Sequence, residues 1–183
     1  MKNPGQFGFL RPWELNLSAR SHPYSYYLGL GSNIEPETNL RKAVSRLRKA
    51  CSIIRISNVY KSHSDGARGP DFLNTVLNLE SKLEPKVFKD DILHVIEKDL
   101  GRIRTADKNS PRTIDLDVLL QNYTVLDPHI WSRVYVAVPL AELIPDLQDE
   151  LTGLKLERIA SRLKKQYYIE KITPFGWDDF LEM

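Results

Sequence analysis

Cysteine is nearly missing from this chain: its 183 residues include one, Cys51. A lone cysteine excludes an internal disulfide and any cysteine-based zinc site. Cys51 opens an apolar run, which reads as a buried structural thiol. An excess of charge of one sign is lacking too. Lys and Arg number 26 against 24 Asp and Glu, a formal net charge of +2. That is too little to argue for nucleic acid or an anionic membrane as partner. No apolar run approaches the length of a membrane span. Met1–Ser21 lacks the continuous apolar stretch of a secretory signal, so the expected location is the cytoplasm. No histidine cluster suggests zinc: His22 sits near the start, His63 in a loop, His94 in a helical pattern and His129 in a connection. A full Gly-x-Gly-x-x-Gly is also absent, because Ile34 stands where the third glycine would fall.

What is present suits one globular domain. Apolar residues make up 42% and charged residues 27%, and the length allows a sizeable core. Residues 1–23 mix Gly, Pro, Asn and Ser with scattered aromatics and read as an extension. Residues 24–175 read as the single domain, and 176–183 as a tail. There is no internal repeat.

Periodicity supplies the elements. Tyr24–Leu30 alternates as a strand, with Tyr26, Leu28 and Leu30 on one side, and runs into Gly29-Leu30-Gly31-Ser32-Asn33. The two glycines allow a close backbone approach or a tight turn. Asn33 or Glu35 is expected to begin a helix with Pro36 in its first turn, and Leu40, Ala43, Val44 and Leu47 form its apolar stripe. Ser52–Ser62 reads as one strand and Ser62–Pro70 as a polar loop. Asp71–Leu83 reads as another strand, with Phe72 and Asn74 sharing a face. An aromatic plate beside an amide suits a flat heterocycle. Pro85–Leu100 reads as an amphipathic helix with Phe88, Ile92, Val95, Ile96 and Leu100 on its stripe, capped by Gly101. Gln121–Ser132 reads as a short connection, Val134–Val138 as a strand, Pro139–Ile144 as a brief helical segment, Thr152–Gln166 as a last helix and Tyr167–Phe175 as a final strand.

The most informative stretch is Asn109–Leu120. Ile114, Leu116, Val118 and Leu120 alternate with Thr113, Asp115, Asp117 and Leu119. On a strand, one set faces a core and the two aspartates share the other face, with Cα atoms roughly 6.5–7 Å apart. Two such carboxylates repel unless a cation lies between them. They suit Mg²⁺, which takes one or two carboxylates together with phosphate oxygens. Arg112 adds a planar donor fork for phosphate. Arg102, Arg104 and Lys108 lie in the loop leading to the pair. The set is equipment for phosphoryl transfer.

Five elements occur in the order seen in one family. They are Gly29-Leu30-Gly31-Ser32-Asn33, Phe72-Leu73-Asn74, Gly101-Arg102, Pro111-Arg112-Thr113-Ile114-Asp115-Leu116-Asp117 and Pro139-Leu140-Ala141-Glu142-Leu143-Ile144-Pro145. The chain thereby resembles the 6-hydroxymethyl-7,8-dihydropterin pyrophosphokinases of folate biosynthesis, from about Tyr26 to Leu163. The resemblance implies an α+β fold with a ferredoxin-like core, a mostly antiparallel sheet with helices on both faces. It implies transfer of pyrophosphate from ATP to the pterin hydroxymethyl group, leaving AMP. Asp115 and Asp117 would hold two Mg²⁺, with Arg102 and Arg112 gripping the triphosphate. Phe72 and Tyr135 would sandwich the pterin. Asn74 would read its edge, with backbone groups near Ser62. Glu97, Arg104, Val118, His129 and Arg133 would surround the nucleotide. Loops Ser32–Pro36, Ser62–Pro70 and Thr105–Ser110 would close over the substrates. The implied partners are pterin and ATP, with neighbouring folate-pathway enzymes as candidate protein partners.

The chain departs from the family pattern in three places. Ser110 replaces a glycine, Asn109 replaces a tryptophan found in some members, and the connection from Asp117 to Arg133 is several residues short. A phosphate-contacting histidine of that connection corresponds either to His129 or, aligned back from Arg133 without a gap, to Asp127. The alternative to an active enzyme is a non-catalytic relative that binds pterin or nucleotide and acts as a partner protein.

Overall fold

The computed structural model describes residues 22–64, 69–103 and 110–177. Most of the 1–23 extension, the middle of the 62–70 loop, Arg104, Lys108, Asn109 and the end of the tail lie outside the described residues. The described elements run β1 (Tyr24–Ser32), α1 (Pro36–Ala50), β2 (Ser52–Ile56), β3 (Val59–Ser62) and β4 (Phe72–Ser81). A continuous helical stretch follows: α2 (Pro85–Val87), a π-helical segment (Phe88–Leu93) and α3 (His94–Asp99). Then come β5 (Asp115–Gln121), β6 (Thr124–Val125), a 3₁₀ turn (Pro128–Trp131), α4 (Val134–Leu143), α5 (Leu156–Gln166) and β7 (Ile169–Ile172). The strands form one sheet in the order β6-β5-β1-β4-β3-β7, with β2 beside β4. Every pairing is antiparallel.

Alternation along β1 gives the sheet two buried faces. Tyr24, Tyr26, Leu28 and Leu30 join Leu73, Leu77, Leu79, Ile114 and Leu116 in a first core against α1 and α3. Tyr27 looks the other way, into a second core with Val76, Leu119 and Leu120 under α4 and α5. This is the α+β, ferredoxin-like arrangement, with helices on both faces. No described helix is long and apolar enough to cross a membrane.

Several local expectations are corrected. The strict alternation of 114–120 ends at a β-bulge: Tyr27 pairs with Leu120 but Leu28 with Val118, leaving Leu119 as the extra residue. Leu120 therefore joins Leu119 in the second core instead of following Ile114 into the first. The expected strand Ser52–Ser62 is two strands, β2 and β3, broken at Ser57-Asn58. There Ser57 Oγ meets Thr75 Oγ1 (3.0 Å) and accepts from the Val76 backbone N–H (2.9 Å). In the 85–99 stretch, the wider π-helical turn shifts the phase of the stripe. Leu93 is thus buried and Val95 exposed. The largest correction is Val134–Val138, expected as a strand and found as the first half of α4, continuous with Pro139–Leu143. Short apolar runs do not distinguish a buried strand from a buried helix, and here packing over the second core decides. The last helix starts at Leu156, later than Thr152, and keeps the expected inward set of Leu156, Ile159, Ala160 and Leu163.

Two tight reversals use left-handed backbone. Asn122 (φ 47°) and Tyr123 (φ 66°) are left-handed and turn β5 into β6, as a type I′ hairpin needs. Gly101 (φ 78°) ends α3. Its N–H donates to Lys98 O (2.9 Å) and the Arg102 N–H to Glu97 O (2.9 Å), a Schellman closure. Nothing lies within 4 Å of a Cβ built on Gly101, so its demand is purely conformational. Gly101→Ala is therefore expected to cost about 1–2 kcal/mol and to lower Tm by several degrees, read by thermal melting.

Candidate active site

Antiparallel register builds the site. Gly31 of β1 stands opposite Asn74 of β4 on one side and Asp115 of β5 on the other; Gly29 stands opposite Val76 and Asp117. These glycines share the sheet face of Tyr27 by alternation. Neither glycine carries a side chain: over Gly31 a hollow separates the Asn74 wall from the aspartates, while the Leu119 side chain lies over Gly29, 3.4 Å from a Cβ built there. A Cβ on Gly31 would lie 3.2 Å from Asn74 Oδ1, tighter than a comfortable contact. The hollow is the floor of a cavity of about 630 Å³.

The cavity gathers most of the predicted residues: Ser62, Phe72 and Asn74 on the sheet, Arg102, Arg112, Asp115 and Asp117 opposite, and Arg133 and Tyr135 at the start of α4. Asn74 Nδ2 donates to Ser62 Oγ (3.0 Å), which ties β4 to β3. The helix bearing Tyr135 is fastened to the same strands. Glu142 accepts from the Asn58 N–H (2.7 Å), Asn58 Nδ2 (2.8 Å) and Tyr60 Oη (2.6 Å). The Arg133 guanidinium sits 5.9 Å from the Tyr135 ring centroid.

The cationic side is ordered by a chain of charges. Buried Glu97 accepts from the Leu116 N–H (3.0 Å) and pairs with Arg102 (3.3 Å). Arg102 donates to Ile114 O (2.8 Å) and to Asp115 Oδ1, while Arg112 donates to Asp115 Oδ2. Both Asp115 oxygens are thus held by arginines. Asp117 forms no ion pair among the described residues. It opens onto the cavity and is exposed there. Desolvation first, then repulsion from Asp115, with Asp127 and Glu97 adding and Arg102 opposing, push its carboxyl up to about 6.

Glu97, Val118 and His129 do not line the cavity. Glu97 lies beneath it, holding Arg102. Val118 packs against the first core. His129 is exposed on the 3₁₀ turn, and its N–H donates to Asp127 Oδ1 (2.9 Å). Asp127 does line the cavity, so of the two candidate positions it is the one near Asp117. Arg104 lies outside the described residues.

Sequence reading missed the clasp that sets the Arg112 turn. Asn33 Oδ1 accepts from the Arg112 N–H (2.7 Å), and the Asn33 N–H donates to Arg112 O (3.1 Å). Ser32 Oγ donates to Thr113 O (2.5 Å), and Asn33 Nδ2 to Pro70 O (3.3 Å). The only signal was two polar residues directly after the glycine pair, and their partners lie 37 to 81 positions away.

For a cation, the available donors are carboxylate oxygens. Among the described residues, no three metal-ligating side chains gather to hold an ion alone. Asp115 and Asp117 fit an ion that draws its remaining ligands from water and phosphate, as Mg²⁺ does. The raised Asp117 carboxyl makes a stability prediction. Its folded value exceeds the usual 3.8, so the neutral form stabilises the fold at low pH. That contribution fades as pH rises through about 6. In chelator, Asp117→Asn should therefore melt higher than the parent at pH 7–8, and the gap should close near pH 4. A gap independent of pH would show that Asp117 is not strained by its charge.

A family model described as 7,8-dihydro-6-hydroxymethylpterin-pyrophosphokinase (HPPK) matches residues 27–145. The chain is 32% identical over 152 residues to the 2-amino-4-hydroxy-6-hydroxymethyldihydropteridine pyrophosphokinase of Bacillus subtilis, covering 76% of this chain and 90% of that protein. It is 35% identical over 159 residues to the enzyme of that name from Haemophilus influenzae, covering 80% and 94%. The crystal structure of wild-type Plasmodium falciparum HPPK-DHPS superposes with a TM-score of 0.65 at 12% identity, over 84% of this chain. This chain spans about half of that longer one (48%), and the likeness shows the fold. With the family model covering the whole span of strands and arginines that builds the cavity, the chain belongs to the 7,8-dihydro-6-hydroxymethylpterin pyrophosphokinase family of enzymes.

Proposed function

We propose that this protein transfers the pyrophosphoryl group of ATP to 6-hydroxymethyl-7,8-dihydropterin in folate biosynthesis. One observation carries the reading. A wall with an aromatic ring and an amide (Phe72, Asn74) faces a carboxylate pair and two arginines across the two glycines of β1, within one cavity. The wall suits a flat, hydrogen-bonding heterocycle, and the opposite side suits a metal-bound polyphosphate. The floor is the place where the two substrates meet.

In this reading Phe72 and Tyr135 hold the pterin ring and Asn74 reads its edge. The hydroxymethyl oxygen attacks the β-phosphorus of ATP and gives up its proton to solvent. The bond from that phosphorus to the oxygen bridging the α-phosphate breaks, and AMP departs with the electron pair. Asp115 and Asp117 are the residues that would hold two Mg²⁺, which supply neutralisation of phosphate charge when bound. Arg102 and Arg112 are already fixed by Asp115, so they meet the triphosphate with little loss of side-chain freedom. Asp117, which opens onto the cavity without an ion-pair partner among the described residues, orients the attacking hydroxyl. Arg133 lines the same cavity and would meet the nucleotide. The Plasmodium falciparum protein joins HPPK and DHPS in one chain, which supports a neighbouring folate-pathway enzyme as partner. The cytoplasm is the compartment this reading implies.

The direct test is AMP release from ATP and Mg²⁺ with and without the reduced hydroxymethyl pterin. Pterin-dependent AMP with an equal yield of pterin diphosphate is expected. AMP formation that ignores pterin would reject the reading. Asp117→Asn should lower kcat by at least about a hundredfold with the fold intact. Gly31→Ala should raise the pterin KM about tenfold, because its methyl group would crowd Asn74 Oδ1 and fill the floor.

A further inference from the structure

Outside the transfer machinery, one charged cluster stands at the rim of the cavity. Asp71 directly precedes β4. Its Oδ1 contacts His63 Nδ1 at 2.8 Å and its Oδ2 contacts Lys61 Nζ at 3.2 Å. The hydrogen bond to His63, ahead of that to Lys61, holds the Asp71 carboxyl below the usual carboxylate range. The His63 ring stacks on Tyr168, just before β7, with centroids 4.3 Å apart and planes 17° from parallel. Tyr168 Oη in turn donates to Glu170 (2.6 Å).

The location of this cluster gives it meaning. Lys61 and His63 flank Ser62, and Asp71 adjoins Phe72. Ser62 and Phe72 are direct partners in the β3–β4 register, and both line the cavity. Asp71 thus joins the two strand ends beside the Ser62–Phe72 pair, where the wall begins. All three side chains reach solvent, with accessibilities of 38% for Lys61, 68% for His63 and 31% for Asp71. Exposed ion pairs of this kind add little to global stability. Their effect is local: they restrain the ends of the chain segment that leaves the wall after Ser62 and returns before Phe72.

We propose that Asp71 is a positioning residue for the pterin end of the cavity, fastening Lys61 and the Tyr168-braced His63 so that Ser62 and Phe72 keep a fixed spacing. The proposal rests on the pterin reading of this cavity. It requires that loss of Asp71 weaken pterin and spare the nucleotide, whose proposed residues lie across the floor.

The test compares the parent with Asp71→Ala and Asp71→Glu by pterin titration, ATP titration, thermal melting and steady-state kinetics. Asp71→Ala should weaken pterin binding and raise its KM about tenfold, with kcat and ATP affinity within about twofold. Its Tm should stay within about 2 °C of the parent. Asp71→Glu, which keeps the carboxylate, should recover most of the pterin affinity. Unchanged pterin affinity in Asp71→Ala would overturn the proposal. So would an equal loss of pterin and ATP affinity with a fallen Tm, which would mark a general structural role. A folded parent that binds ATP but no pterin would reject the pterin reading itself, and the proposal with it.

Discussion

The site depends on the antiparallel register of the central strand β1 with both its neighbours. Gly31 faces Asn74 and Asp115, and Gly29 faces Val76 and Asp117. Because side chains alternate across a strand, a one-residue slip would replace the hollow with Leu28 or Leu30 and send the first core's residues outward. The hydrophobic patterning of β1 therefore protects the site as well as the fold. Tyr26, Leu28 and Leu30 can stay in the first core only while the glycines face the cavity.

Charge is distributed unequally on the β5 side of that floor. Asp115 is neutralised by Arg102 and Arg112, and Arg102 is itself supported by buried Glu97. Burying such groups is costly unless they are paired, and the network supplies the pairing. Asp117, two residues on, is left to the cavity and its carboxyl is raised. The protein thus presents one pre-occupied carboxylate and one that gains most from a cation. The Schellman turn at Gly101 and the Asn33 clasp fix the backbone at Arg102 and Arg112. The cationic wall is consequently set by backbone geometry at both ends.

The second core has a comparable role for the other wall. It anchors α4 over the sheet and delivers Tyr135 and Arg133 to the cavity mouth, with Glu142 strapping that helix to Asn58 and Tyr60. The connection before Arg133 brings one acidic side chain to the cavity. Asp127 caps the 3₁₀ turn and lines the cavity, whereas His129 faces solvent. An acid at this edge raises the negative potential around Asp117 and helps push its carboxyl up.

The sequence by itself determined the elements whose signals are local. The alternation of β1, the stripe of α1, the Gly101 cap and the placing of Asp115 and Asp117 on one strand face were all legible, because period and backbone preference act between near neighbours. Tertiary structure alone decided the bulge at Leu119, the break at Ser57, the phase shift that buries Leu93 and the helical state of Val134–Val138. Each of these answers to packing against residues far away in the chain. The same division holds within the site. The glycine pair and the aspartate pair could each be seen in the sequence, but that they lie in register across two strands could not. Register is fixed by the contacts of whole faces, and those exist only once the chain has folded.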